Sequence, residues 1–252
     1  MRLSVVTGLV AFSSSVLAHG GVTSYTIDGK RYPGYKWYDP AEGQKDLIQR
    51  SWHAFPHEDP TSSNLTCNYK GATVPGAFHA PVQAGATIRT GWGEDSFGWV
   101  HNYGPIVAYM ASCGDDCTSI TDISQLEWFK IAEEGLREGF AIGDLDGWFQ
   151  NDLWENKKAD HWNIVVPKNL KPGRYMIRHE IIMIELSPVQ FYPNCAQLEV
   201  TGSGSSVPGK EFLVKFPGAY SLSDPGIKIS GKVRTDKVTK TYTVPGPKVW
   251  TG

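Results

Sequence analysis

Short runs in which apolar and polar residues alternate, broken by Gly, Pro, Asn and Ser, dominate the chain, and that period belongs to β-strands. The clearest runs are 22–27, 87–90, 106–110, 162–166, 175–184 and 198–201. Within 175–184, Met176-Ile177-Arg178-His179-Glu180-Ile181-Ile182 reads as one long strand whose two faces carry different side chains. The stretch 124–137 is ambiguous: its Glu and Leu content suits a helix, and Trp128-Phe129-Lys130-Ile131 suits a strand equally well. A Gly/Ser-rich stretch from Thr201 to Gly209 precedes a tail, 210–252, that is too short to bury a core alone and has no cysteine to staple it. Phe212, Phe216, Tyr220, Ile227, Ile229 and Trp250 in that tail need burial, so it is expected to wrap along the main body. No internal repeat is present.

Composition sharpens this picture. With 27 glycines, 16 prolines and 12% aromatic residues, the chain suits a sandwich of short strands rather than a helical protein. A formal charge of −2 and the lack of like-charge blocks argue against a nucleic-acid binder and favour neutral partners. The first eighteen residues carry Arg2, an apolar run over 3–10 and small residues leading to Val16-Leu17-Ala18, the build of a secretory signal peptide. That run is well below the ~20 residues a spanning helix needs. One domain over 19–252 is therefore expected to be exported, soluble and monomeric, without a membrane partner.

Four cysteines, Cys67, Cys113, Cys117 and Cys195, fit disulfides in an exported protein. Cys113-Gly-Asp-Asp-Cys117 contains a turn-forming pair, so a local bridge is reasonable, and Cys67 and Cys195 then pair by exclusion. A zinc site lacks any Cys-x-x-Cys pair. Asn64-Leu65-Thr66 is a glycosylation acceptor motif.

Signal cleavage after Ala18 leaves His19 at the new chain end. Such a histidine offers two nitrogen donors, its α-amine and its ring Nδ1, to a single metal. The amine has an unperturbed pKa of roughly 7.7–8.0, so a Lewis-acidic metal displaces its proton near neutral pH. One further imidazole completes a three-nitrogen tetragonal site, which favours Cu(II). The bland alternative is that cleavage exposes a histidine by chance.

Other motifs bear on that choice. His19-Gly20-Gly21-Val22 with Ile27-Asp28-Gly29-Lys30 resembles the mature start of the fungal lytic polysaccharide monooxygenases of auxiliary activity family nine. The resemblance continues through Pro75-Gly76-Ala77, the run from Gly104-Pro105 to Ala111, Gln125 to Ile131, Arg178-His179-Glu180-Ile181-Ile182, Gln190-Phe191-Tyr192-Pro193 with Cys195, Asp224-Pro225-Gly226-Ile227 and Pro245-Gly246-Pro247. It implies an immunoglobulin/fibronectin-III-like β-sandwich with long loops and little helix, and no separate carbohydrate-binding module.

For function, the resemblance implies one copper ion per chain and oxidative cleavage of a β-1,4-linked glucan such as cellulose. Hydrogen would be abstracted at C1, C4 or both, with O2 or H2O2 and an external electron donor. His19 and His101 are then the equatorial ligands and Tyr192 lies on the axial side, with His179 and Gln190 just outside, orienting the oxygen species. Gln190 and Tyr192, two apart in an extended run, share one strand face. The resemblance brings His179 to Gln190, whereas a symmetric hairpin centred on Ser187-Pro188 places Gln190 opposite Glu185. Crystalline substrate calls for a flat face with aromatics that stack on sugar rings, and Tyr220 and Tyr25 are the expected ones.

Two departures from the family pattern stand out. Asn102 and Tyr103 both intervene between His101 and Gly104, where the family usually has one residue, and this makes His79 an outside substitute as ligand. Members often carry a further histidine six residues after the one matching His179; here that place is Glu185. Rival readings are a hydrolase using paired carboxylates, with Asp95, Asp144 and Asp146 as unselected acids, and a non-catalytic secreted β-sandwich that binds copper or carbohydrate.

Overall fold

A computed structural model describes residues 19–69, 74–93 and 98–252. The signal-peptide segment and Asp95 lie outside the described residues. Ten strands are described: β1 (Gly21–Ile27), β2 (Lys30–Pro33), β3 (Ala80–Gln83), β4 (Thr87–Gly93), β5 (Ile106–Ser112), β6 (Trp128–Glu134), β7 (His161–Val165), β8 (Gly173–Met183), β9 (Gln190–Thr201) and β10 (Leu213–Val214). They form a four-stranded sheet, β2-β1-β4-β7, and a six-stranded sheet, β10-β6-β5-β8-β9-β3. The α-helices among the described residues are two short ones, α1 (Phe149–Leu153) and α2 (Pro225–Lys228). This is the expected β-sandwich of the immunoglobulin type.

The small sheet follows the alternation rule. Tyr25, Ile27, Ile88, Trp92, Trp162 and Ile164 are buried, while Arg31, Arg89, Asn163 and Val165 on the opposite face are exposed. Asp28 and Gly29 both have positive φ, the geometry of the tight two-residue turn that joins β1 to β2. Strands β8 and β9 lack this alternation because both faces are covered. One face packs Ile181, Met183, Tyr192 and Leu198 between the sheets, and the other packs Ile182, Phe191 and Cys195 beneath loops and the tail.

The tail wraps as expected: Phe216 and Ile227 join the outer core, Trp250 joins the inner one, and the Trp250 N–H donates to the Lys130 carbonyl at 2.8 Å. The ambiguous stretch forms β6, since Phe129, Lys130 and Ile131 are buried between β5 and β10. Both disulfides form as paired in the sequence, Cys67–Cys195 and Cys113–Cys117, with Cα separations of 5.3 and 5.1 Å.

Arg178 and Glu180 are fully buried on the outer face of β8. The guanidinium donates to both Glu180 oxygens, at 2.6 and 2.9 Å, and to the carbonyls of Leu65 and Thr66; the Tyr220 hydroxyl donates to Glu180 Oε2 at 2.7 Å. This accounts for one correction. Tyr220 is 4% exposed and serves that buried network, and Tyr25 is fully buried between the sheets, so neither is on a surface a sugar can reach.

Candidate metal centre

The chain enters the sandwich between two close neighbours. A Cβ on Gly20 would stand 2.6 Å from the Gly93 carbonyl oxygen, and one on Gly21 would stand 2.5 Å from Asn194 Oδ1 and 2.8 Å from the Trp52 ring. Only glycines fit there, and Asn194 Oδ1 also accepts the Val22 N–H. A bulge at Thr23 then shifts the β1–β4 register between Val22 and Ser24. Together these place the His19 ring at the end of the sandwich where β4 ends and β5 and β9 begin.

His101 and Tyr192 meet it there. The His19 and Tyr192 ring centroids are 6.5 Å apart, and those of His101 and Tyr192 are 5.5 Å apart. The Tyr192 hydroxyl lies 2.8 Å from His101 Nε2 and donates to Gln190 Oε1, also at 2.8 Å. Burial, and then the neighbouring His19, lower the His101 pKa to about 4. Burial, and then His53, lower that of His19. Burial, and then the charge of Glu58, push the Tyr192 phenol up. Both imidazoles are therefore neutral at pH 7, the state a metal needs.

The additional residue before Gly104 is absorbed without moving His101 away. Tyr103 is buried in the outer core and its carbonyl accepts the Ile184 N–H at 3.1 Å, while Gly104 has φ +127°. A Cβ at Gly104 would run into the Ile182 carbonyl oxygen. His79 is elsewhere: its Nε2 accepts the Cys117 N–H at 3.1 Å, beyond the far end of β5.

The pairing of His179 with Gln190 is not found. The β8–β9 register sets Met183 against Gln190, Ile181 against Tyr192 and His179 against Asn194. His179 and Gln190 thus share a sheet face but stand four residues apart along it, roughly 13 Å. The His179 ring packs against Tyr25 and Trp162, with both ring nitrogens buried and unpartnered. Gln190 is not opposite Glu185 either, because β8 leaves the ladder at Met183, whose Sδ takes the Glu185 N–H at 3.1 Å. Glu185 binds Arg234, whose Nε lies 2.8 Å from its carboxylate.

Several neighbours of His19 were not singled out by the sequence. The segment 48–57 runs beside β9, held by the Arg50 N–H on the Cys195 carbonyl and by paired backbone bonds between His57 and Phe191. It carries Phe55, which is 60% exposed and touches the His19 ring edge-on at 5.6 Å. His53 stacks on Phe55 at 4.5 Å, and Trp37 lies 4.7 Å from His53. His53, Phe55 and His57, with Tyr69, 49% exposed, border an open cavity of about 250 Å³. The aromatic density of Trp52-His53-Ala54-Phe55-Pro56-His57 was the available signal.

The model of Auxiliary Activity family 9 (formerly GH61) matches residues 19–242. The chain belongs to Auxiliary Activity family 9. It is 40% identical to AA9 family lytic polysaccharide monooxygenase B of Heterobasidion irregulare, over 98% of each chain. It is 36% identical to AA9 family lytic polysaccharide monooxygenase D of Thermothelomyces thermophilus, over 97% of this chain and 93% of the relative. The crystal structure of HiLPMO9B superposes with a TM-score of 0.83 at 40% identity, covering 93% of this chain and all of that one. As an AA9 protein the chain is an oxidoreductase of polysaccharide degradation.

No group of three or more His, Cys, Asp or Glu side chains converges among the described residues. The donor set that an AA9 copper needs is of another kind, and the side chains fit it: two neutral imidazoles and a buried phenol, with His19 also able to offer a backbone amine if it is the first residue of the chain. Of the candidate hydrolase acids, Asp144 accepts the Ala141 N–H and pairs with Lys237, and Asp146 pairs with Lys158, so both of these described carboxylates are engaged in ion pairs.

Proposed function

We propose that the secreted chain begins at His19 and that the His19 amine and ring and the His101 ring would hold one copper ion, with Tyr192 beside them. The convergence of His19, His101 and Tyr192 at one end of the sandwich carries this reading. When bound and reduced by an external donor, copper would supply activation of O2 or H2O2 for removal of a hydrogen at C1 or C4 of a β-1,4-glucan such as cellulose. Around it the protein's own groups set orientation. Gln190 holds the Tyr192 hydroxyl, and Tyr192 in turn fixes the His101 ring. Trp99, edge-on to both rings at 5.0 and 5.5 Å, excludes water beneath them.

In place of Tyr25 and Tyr220, Phe55, Tyr69 and Trp37 form the face on which sugar rings stack. The exposure of Phe55 and Tyr69, the contact of Phe55 with His19 and the half-buried Trp37 ring beside Phe55 support this. Asn64, half-buried, is the proposed glycosylation position.

Mass spectrometry of soluble products from swollen cellulose, with and without ascorbate, tests the activity. Oxidised oligosaccharides should appear only with the reductant; plain hydrolysis products without it would reject oxidative chemistry. His101→Ala should cut copper affinity by at least about tenfold, whereas His79→Ala should leave it unchanged. One observation favours a second reading, a non-catalytic copper or carbohydrate binder: Glu185, at the place of a family histidine, is tied to Arg234. Such a binder would take up copper and release no product.

A further inference from the structure

The outward face of the small sheet carries a polar trough. Register pairs Arg31 of β2 with Thr26 of β1, Thr26 with Arg89 of β4, and Arg89 with Asn163 of β7, so these four side chains form one ladder across the sheet. The adjacent ladder runs from Ser24 through Gly91 to His161. Directly paired residues point to the same side, and the buried residues of these strands point to the other. Arg31 and Arg89 therefore flank Thr26 with Cα atoms about 10 Å apart, two strand spacings.

In the adjacent ladder the Ser24 and Thr23 hydroxyls lie close over Gly91, where a Cβ would stand 2.8 Å from Ser24 Oγ and 3.2 Å from Thr23 Oγ1. A cavity of about 390 Å³ is bordered by those hydroxyls, both arginines, Asp160 and His161. Asp160 is engaged with Arg89 at 3.4 Å and with His161. Arg31 is exposed and has no acidic partner among the described residues, so the trough carries a net positive charge. It continues, through Thr23 and Arg31, into a smaller cavity of about 140 Å³ bordered by Tyr35, Trp37 and Tyr38. Trp37 belongs to the aromatic group around His19.

We infer that this trough binds an acidic glycan, one bearing uronic-acid carboxylates, with its backbone lying toward Trp37 and Tyr38. Guanidinium forks match carboxylates, hydroxyls between the two cations match sugar hydroxyls, and aromatic rings at one end match a pyranose face. The choice of a glycan over another anion rests on the polysaccharide activity of the family; the binding itself needs no copper. Its consequence is a preference for wall polysaccharides with acidic branches, set by the outward face of the small sheet.

The test is calorimetric titration of the metal-free, full mature chain with a glucuronic-acid-branched xylo-oligosaccharide and with the unbranched xylo-oligosaccharide of equal backbone length. The branched probe should bind about tenfold more tightly at low salt, and the difference should shrink at 0.5 M salt. Arg31→Gln and Arg89→Gln, both surface changes, should each remove most of that preference while thermal melting stays as in the parent chain. Equal affinity for the two probes, or a preference that survives both substitutions together, would overturn the inference. Tighter binding of anionic lipid vesicles than of the branched probe would also overturn it. Because no metal or reductant is present, a negative result here leaves the oxidative activity untouched, and a failure of that activity leaves this binding intact.

Discussion

His179 shows how one side chain can be legible in identity and misread in role. Its place in Arg178-His179-Glu180 matches the family motif, yet the parity of a strand fixes only which face it joins, not its depth along that face. Depth came from the register, Met183 against Gln190, which a symmetric turn at Ser187-Pro188 does not give. The ring stays uncharged in the folded protein down to about pH 3 because it is buried. A free imidazole titrates near 6.5, so between those values the unfolded chain takes up a proton that the folded chain refuses. Its share of stability is thus complete above about pH 6.5 and lost as pH falls toward 3, by up to ~1.4 kcal/mol per unit. Urea unfolding of His179→Leu between pH 4 and 7 should show a shallower acid limb than the parent; identical slopes would mean that the ring is not buried in neutral form. In oxidised-product assays the variant should keep its activity, in contrast to Gln190→Ala.

At the scale of elements, runs of alternating or continuous apolar residues were readable, β5 and β8 with both faces covered as well as β1, β4 and β7 with one wet face. β1, β4 and β7 stand close to where alternation put them, with bounds that differ by one to three residues. By contrast, only the last four residues of β9 were seen, since Pro193, Asn194 and Cys195 weaken a strand signal that burial on both faces restores. β2, β3 and β10 are short edge or near-edge pieces whose pairing is set by tertiary contact. Two elements invite direct tests. Gly21→Ala introduces a methyl against Asn194 and Trp52, and overpacking of that kind costs about 1–3 kcal/mol. Copper affinity should fall with it, because the entry path of His19 is displaced; unchanged stability and affinity would show that the path has slack. Within β8, Glu180→Gln leaves the Arg178 charge buried without its partner, and thermal or urea unfolding should report a loss of roughly 3–5 kcal/mol.

For the whole molecule, the sandwich, the wrapped tail and both disulfides were legible because each follows from composition, spacing or the need to bury aromatics. The Cys67–Cys195 bridge spans 128 residues and on the loop-entropy model contributes roughly 4–5 kcal/mol, so Cys195→Ser should lower the melting point far more than loss of the local bridge. The surface around His19, His101 and Tyr192 was not legible. Which rings lie outside depends on how segment 48–57 lies along β9, and nothing local in that segment specifies the partner strand. The central claim joins chain end to site: one residue, His19, supplies two of the three nitrogens only if it is the first. Copper titration followed by electron paramagnetic resonance, on the chain starting at His19 and on the same chain with one alanine added before it, tests this most directly. The chain starting at His19 should bind one Cu(II) with a nitrogen-rich tetragonal signal, and the extended chain should lose that signal and bind at least about tenfold more weakly. Equal affinity and identical spectra for the two would contradict the account.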